Sequence, residues 1–135
     1  MEVTPCLDCL SAPAGTWTGL RVNPVSGESF PMSVEIDDGG RQFIGTVQTD
    51  EITFWRFSGH VVDGADFTAD ERAEWESALG REVTADLLLI EFEPETKLEG
   101  HFIRGTFRAC IEDDAMTGIQ VDGEYQHEFS LLWQS

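Results

Sequence analysis

The chain has 135 residues, 41% hydrophobic and 10% aromatic, enough apolar side chain for one domain of ordinary size to bury its own core. Its 26 acidic side chains against eight basic ones give a formal charge of −18. A surface of that sign repels phosphates, which excludes direct binding to nucleic acid or to an anionic membrane.

Residues 1–15 carry Pro5, Pro13, Ser11 and small side chains without sustained periodicity, and read as a loosely ordered arm. The opening Met1-Glu2-Val3-Thr4-Pro5 has no basic region, and no apolar run approaches the roughly 18 residues of a membrane span, so a cytoplasmic protein with no membrane partner is expected. Within the arm, Cys6-Leu7-Asp8-Cys9 has CxxC spacing but no second pair, and Cys110 makes the cysteine count odd. A metal site or a secreted disulfide framework is therefore not expected.

From residue 16 to 135 the chain reads as a single all-β domain. Strand signals fall at 16–22, 30–36, 41–48, 51–62, 82–93, 97–111, 116–121 and 124–133, with Gly, Asp, Asn or Pro between most of them. Phe30, Met32, Val34 and Ile36 alternate with Pro31, Ser33 and Glu35, the period of a strand with one buried face. Asp38-Gly39-Gly40 and Asp122-Gly123 supply tight-turn residues, so neighbouring strands pair as hairpins. About eight antiparallel strands in up-and-down order suit a closed barrel.

One segment departs from this rhythm. Thr68-Ala69-Asp70-Glu71 has the form of a capping box; Arg72, Trp75 and Leu79 follow at helical spacing, and Gly80 can end the turn. A helix over 69–79 is expected between the fourth and fifth strands. It would cover a barrel mouth or lie along the wall with Trp75 and Leu79 turned inward.

Gly15-Thr16-Trp17 at the start of the first strand resembles the Gly-X-Trp opening of lipocalin- and avidin-type calycin barrels. The resemblance implies a calycin-like barrel that binds a small, largely apolar ligand, with Trp17 as a plug at the closed end and Arg104 or Arg108 as its partner.

Candidate site residues come from the longest strands. Arg56, Arg104 and Arg108 lie well inside them; Arg104 and Arg108 share parity with Phe102, Thr106 and Cys110, and His60 shares parity with Phe54, Arg56 and Ser58. If these faces are interior, Phe54, Arg56, His60, Phe102, Arg104 and Arg108 line a cavity, and the guanidinium forks suit a carboxylate or phosphate. Pairing of the arginines with carboxylates across strands is the competing reading. Trp55 has the opposite parity, so that strand carries large apolar groups on both faces, covered by the helix or by a second subunit in a dimer. Gly59 suggests a bulge that re-aims His60. His60, His101 and His127 lack the local pairing of a metal or haem site, and Glu112-Asp113-Asp114 reads as a solvated turn.

No nucleophile, base and orienting group occur in a recognised arrangement, and no cofactor motif is present. The leading expectation is a non-catalytic barrel binding a small hydrophobic or anionic ligand. The alternatives are an acidic module for a basic protein partner, including mimicry of nucleic acid, and a barrel enzyme of isomerase or cyclase type using His60.

Overall fold

The computed structural model describes residues 14–38, 40–49, 53–84, 87–100, 105–122 and 125–134. Eight strands follow one another: β1 (Gly15–Val22), β2 (Ser29–Asp38), β3 (Gln42–Gln48), β4 (Phe54–Val62), β5 (Leu88–Glu99), β6 (Thr106–Glu112), β7 (Ala115–Asp122) and β8 (Tyr125–Gln134). Each pairs antiparallel with the next, and β8 returns to β1, so the sheet is a closed barrel in up-and-down order. The β1–β8 pair joins what would be the two outer edges of an open sheet, the edges at which such sheets aggregate.

The inner face of the barrel is packed with side chains. Trp17 on β1, Met32, Val34 and Ile36 on β2, Phe43 and Val47 on β3, and Trp55, Phe57 and Val61 on β4 join Ile90, Phe92, Phe107, Ala109, Ile111, Met116, Phe129 and Leu131 in one cluster, each at most 7% exposed. Across it runs a row of rings. Phe57 lies 4.7 Å from Phe92, Phe92 stacks on Phe107 at 4.8 Å and 5°, and Phe107 meets Phe129 at 6.0 Å. Small barrels of this strand number are just wide enough for such filling. Tight curvature is admitted by inner-face glycines: a Cβ at Gly45 would strike the Glu35 carbonyl, and one at Gly118 the Arg108 carbonyl.

The helix α1 (Ala69–Leu79) forms between β4 and β5 as its caps require. The Thr68 hydroxyl accepts from the Glu71 amide at 3.2 Å, and the Glu71 carboxylate accepts from the Thr68 amide at 3.1 Å. Gly80 ends it at φ 66°, a left-handed conformation that glycine adopts without steric cost. The helix lies along the wall rather than over a mouth, against β6 and β7. Trp75, Val83, Leu87, Leu89 and Cys110 form a second buried cluster beneath it, with Phe67 stacked on Trp75 at 5.9 Å. Arg72 fixes the return of the chain by donating to the Val83 carbonyl at 2.6 Å.

Several expectations are corrected here. The β5–β6 hairpin turns after Glu99, not near residues 94–96, and residues 82–84 are not extended into β5. Among the described residues, β5 pairs with β6 only as far as Phe92, so Pro94 lies beyond that ladder. Gly59 is in continuous register with Phe43 and Phe92 and is not a bulge; the irregularities of the β4–β5 pair fall at Phe54/Trp55 and Arg56/Phe57. The Glu112-Asp113-Asp114 run is, as expected, an exposed hairpin turn, with Asp113 at φ 55° and Glu112 bonded to Arg81 at 3.1 Å. Residues 1–13, with Cys6 and Cys9, and Gly39, Gly123 and Glu124 of the expected turns lie outside the described residues.

Among the described residues, no helix is long and apolar enough to cross a membrane.

Candidate functional site

The alternation of β4 decides where the expected site residues point. Trp55, Phe57 and Val61 face inward and are buried; Phe54, Arg56, Ser58 and His60 face outward. Phe54, Arg56 and His60 therefore lie on the outer wall instead of lining an interior cavity. Both alternations of this strand contain large apolar groups, and the barrel buries the one with Trp55, Phe57 and Val61, which removes more apolar surface from water than Phe54 with Arg56 and His60 would. Trp55 accordingly needs no second subunit to cover it.

Arg108 is also outside. Phe107, Ala109 and Ile111 take the inner face of β6, while Arg108 lies between the wall and α1. Its Nε donates to Glu91 at 3.0 Å, its Nη1 donates to Glu74 of α1 at 3.0 Å, and its guanidinium sits 5.1 Å from the Trp75 ring centroid. Burial by itself lowers the pKa of this group, but the bonds to Glu74 and Glu91 outweigh burial and hold it above the ordinary value. The cross-strand reading of this arginine is thus the one realised, and Arg108 is engaged with Trp75 rather than with Trp17. Trp17 is inner-facing and 1% exposed, and its Nε1 has no hydrogen-bond partner among the described residues. Phe102, Arg104 and His101 lie outside the described residues.

What the register does bring together is a dent in the outer wall across β3, β4 and β5. Gln42, His60 and Glu91 form one cross-strand row, and Ile44, Ser58 and Glu93 the next. The middle of this grid is low because the outward Ser58 is small. Gly59 faces inward, and a Cβ on it would come within 2.5 Å of the Phe43 ring and 2.8 Å of the Phe92 Cβ in the barrel core. The result is an open groove of ≈ 630 Å³ lined by these eight residues.

The rims of the groove differ in character. Ile44, 48% exposed, and Gln42 form one side. On the other, Glu91 lies 3.9 Å from His60 Nε2, Glu93 accepts from the Thr106 hydroxyl at 3.4 Å, and Glu95 accepts from the Ser58 hydroxyl at 2.6 Å. With Glu74 next to Arg108, four carboxylates gather on this stretch of wall, where the cations among the described residues are Arg108, held by Glu74 and Glu91, and the exposed Arg56 in the next row. The groove therefore pairs a negative rim with a rim carrying the exposed, apolar Ile44. Among the described residues no three His, Cys, Asp or Glu side chains are placed to hold a metal ion.

The groove residues on β3 and β5 escape a sequence reading because Ile44, Glu91 and Glu93 are unremarkable members of alternating strands. The available signal was Gly59 beside Ser58, two small residues in succession within a strand of large ones. No protein-family model, curated protein or solved structure gave a match to this chain.

Proposed function

We propose that this chain is a non-catalytic binding domain, a calycin-like barrel whose outer-wall groove receives a lysine or arginine side chain from a basic segment of a partner protein. The observation that carries this reading is the grid of Ile44, His60, Glu91 and Glu93 around the small residues Ser58 and Gly59. A long basic side chain is amphipathic: its methylene stem would pack on Ile44, and its head would meet Glu91 and Glu93. The charge of −18 favours the same class of partner, since it accelerates encounter with cations and repels anions. The up-and-down order and the inner-facing Trp17 after Gly15-Thr16 support the calycin-like description.

The described interior is occupied by side chains, so the ligand of this reading sits on the wall and is cationic, in place of the anionic or apolar guest expected within. The test is the affinity of a short peptide containing lysine and arginine, measured by fluorescence anisotropy at fixed ionic strength. Reversing the exposed Glu93 with Glu93→Lys is expected to weaken binding about tenfold, roughly 1.4 kcal/mol. Reversal of a remote exposed carboxylate with Glu28→Lys changes net charge equally and is expected to weaken it by no more than about twofold. Equal effects of the two reversals would mean that only the overall field attracts the peptide, and would sink the groove.

A further inference from the structure

Charge is unevenly spread over the outer wall. The side formed by β4, β5 and β6 carries Arg56, Glu91, Glu93 and Arg108, whereas two adjacent outward rows on the other side carry none. The first row runs through Ala115, Leu132, Thr18, Ser33 and Gln48, in register across β7, β8, β1, β2 and β3. Thr117, Ser130, Leu20 and Pro31 make the second. Their strand neighbours Met116, Leu131, Trp17 and Met32 are buried in the barrel, which fixes these rows as the outer face. Carboxylates return in the flanking rows, with Glu35 on one side and Glu128 on the other. In a chain whose residues are 25% charged, two whole outward rows without a charge stand apart.

At the centre of this face Leu20 is 51% and Leu132 60% exposed. Leu20 lies opposite Ser130 and Leu132 opposite Thr18, so the two leucines are diagonal neighbours across the β1–β8 pair, within reach of each other. Single exposed apolar side chains are ordinary on a surface, but adjacent ones inside a charge-free field mark a contact surface. The residues around them are mainly hydroxyls, each able to donate and to accept. A face of leucine and hydroxyl groups is therefore complementary to a copy of itself.

Charge selects the occupant. A cationic partner gains more from the carboxylate-bearing walls, while a strongly anionic one is repelled there and can come close only where charge is absent. A second copy, at −18, is such a partner. We propose that two copies of this chain pair about a twofold axis through the uncharged outer face of β8, β1 and β2, Leu20 of one copy packing on Leu132 of the other. In a twofold contact each residue meets its counterpart's neighbour reciprocally, and two sheets stacked face to face lie about 10 Å apart. The acidic walls of β4 to β6 then point away from each other, separated by more than the screening length of ~8 Å at physiological salt. The rows span five strands at ~4.8 Å and two side-chain repeats at ~6.8 Å, about 300 Å² at the centre of the contact. That is small beside the ~800 Å² per partner of a standard interface, so the dimer is reversible and populated at micromolar and higher concentrations. The groove uses the other end of β3, at Gln42 and Ile44, and stays open in the pair.

The test is sedimentation equilibrium of the full chain from about 1 µM to about 1 mM, at about 0.05 M and about 0.5 M sodium chloride. The mass is expected to rise with concentration from 15.0 kDa toward twice that value and to stop there, with several-fold tighter association at the higher salt as repulsion between the copies is screened. Capture of a basic partner has the opposite salt dependence. Thr18→Glu, which sets a carboxylate at the centre of the face in each copy, and Leu20→Ser are each expected to weaken association at least tenfold. Both positions are exposed, so the fold is retained. Ile44→Ser removes an exposed apolar side chain from the groove instead and is expected to leave association unchanged. A mass of 15.0 kDa throughout at both salts overturns the proposal, as does growth beyond a dimer. Association that survives Thr18→Glu, or that Ile44→Ser weakens as much, overturns it too.

Discussion

Phe92→Ala tests whether the barrel is as full as its burial pattern implies. The Phe92 ring is 1% exposed and lies between Phe57 at 4.7 Å and Phe107 at 4.8 Å, so truncation opens a void at the centre of the row and removes two ring contacts. The backbone around it is tied into strand pairs on both sides, with Gly59 and with Phe107, and has little freedom to collapse into the space. Loss of a fully buried Phe costs about 3–5 kcal/mol, and the neighbouring pairs place this site in the upper part of that range. For a chain of this length the melting temperature would fall by roughly 10–20 °C. Urea unfolding of both proteins, with equal m-values, measures the difference directly. A loss below about 1.5 kcal/mol would show that the ring borders open space, and the description of a filled interior would be wrong.

Three further outcomes are expected. Thr68→Ala removes one half of the capping box and should cost about 1 kcal/mol in urea unfolding, while Thr68→Ser should be nearly neutral. Gly59→Ala forces a methyl group against the Phe43 ring inside the barrel; overpacking of this kind costs about 1–3 kcal/mol, read in urea unfolding. His127 has a lowered pKa in the fold, so the unfolded chain binds more protons in the window between that value and about 6.5. Stability contributed by His127 is thus complete above the unfolded pKa and is lost as pH falls through the window. His127→Gln should flatten that part of the stability profile, and an unchanged slope would contradict the assignment.

The legible parts of the fold were those where a local pattern admits one solution. The capping box of Thr68 and Glu71 determines a helix start whatever surrounds it, and the alternation from Phe30 to Ile36 has only one apolar face. Residues 54–57 were ambiguous because Phe54 and Trp55 are both large and apolar, and the choice of face depends on closure of the whole barrel. The same holds for Cys110 and Ile119, which are on the outer side yet buried, Cys110 in the cluster beneath α1. Such positions look like core in a sequence and invert the apparent parity of β6. Leu20 and Leu132 are the converse case: both look like core in the sequence, yet both are exposed, and only the register of β1 with β8 sets them side by side. The groove depends on residues distant in sequence, Ile44, Ser58 and Glu93, which form one row only after pairing.

The most direct test of the binding account is an amide NMR titration of the unmodified protein with the lysine- and arginine-containing peptide, mapped residue by residue. The account predicts saturable shifts concentrated at Gln42, Ile44, Ser58, Gly59, His60, Glu91 and Glu93, with Glu28, Glu35 and Glu128 on other parts of the wall unaffected. Shifts spread evenly over exposed carboxylates around the barrel would contradict it.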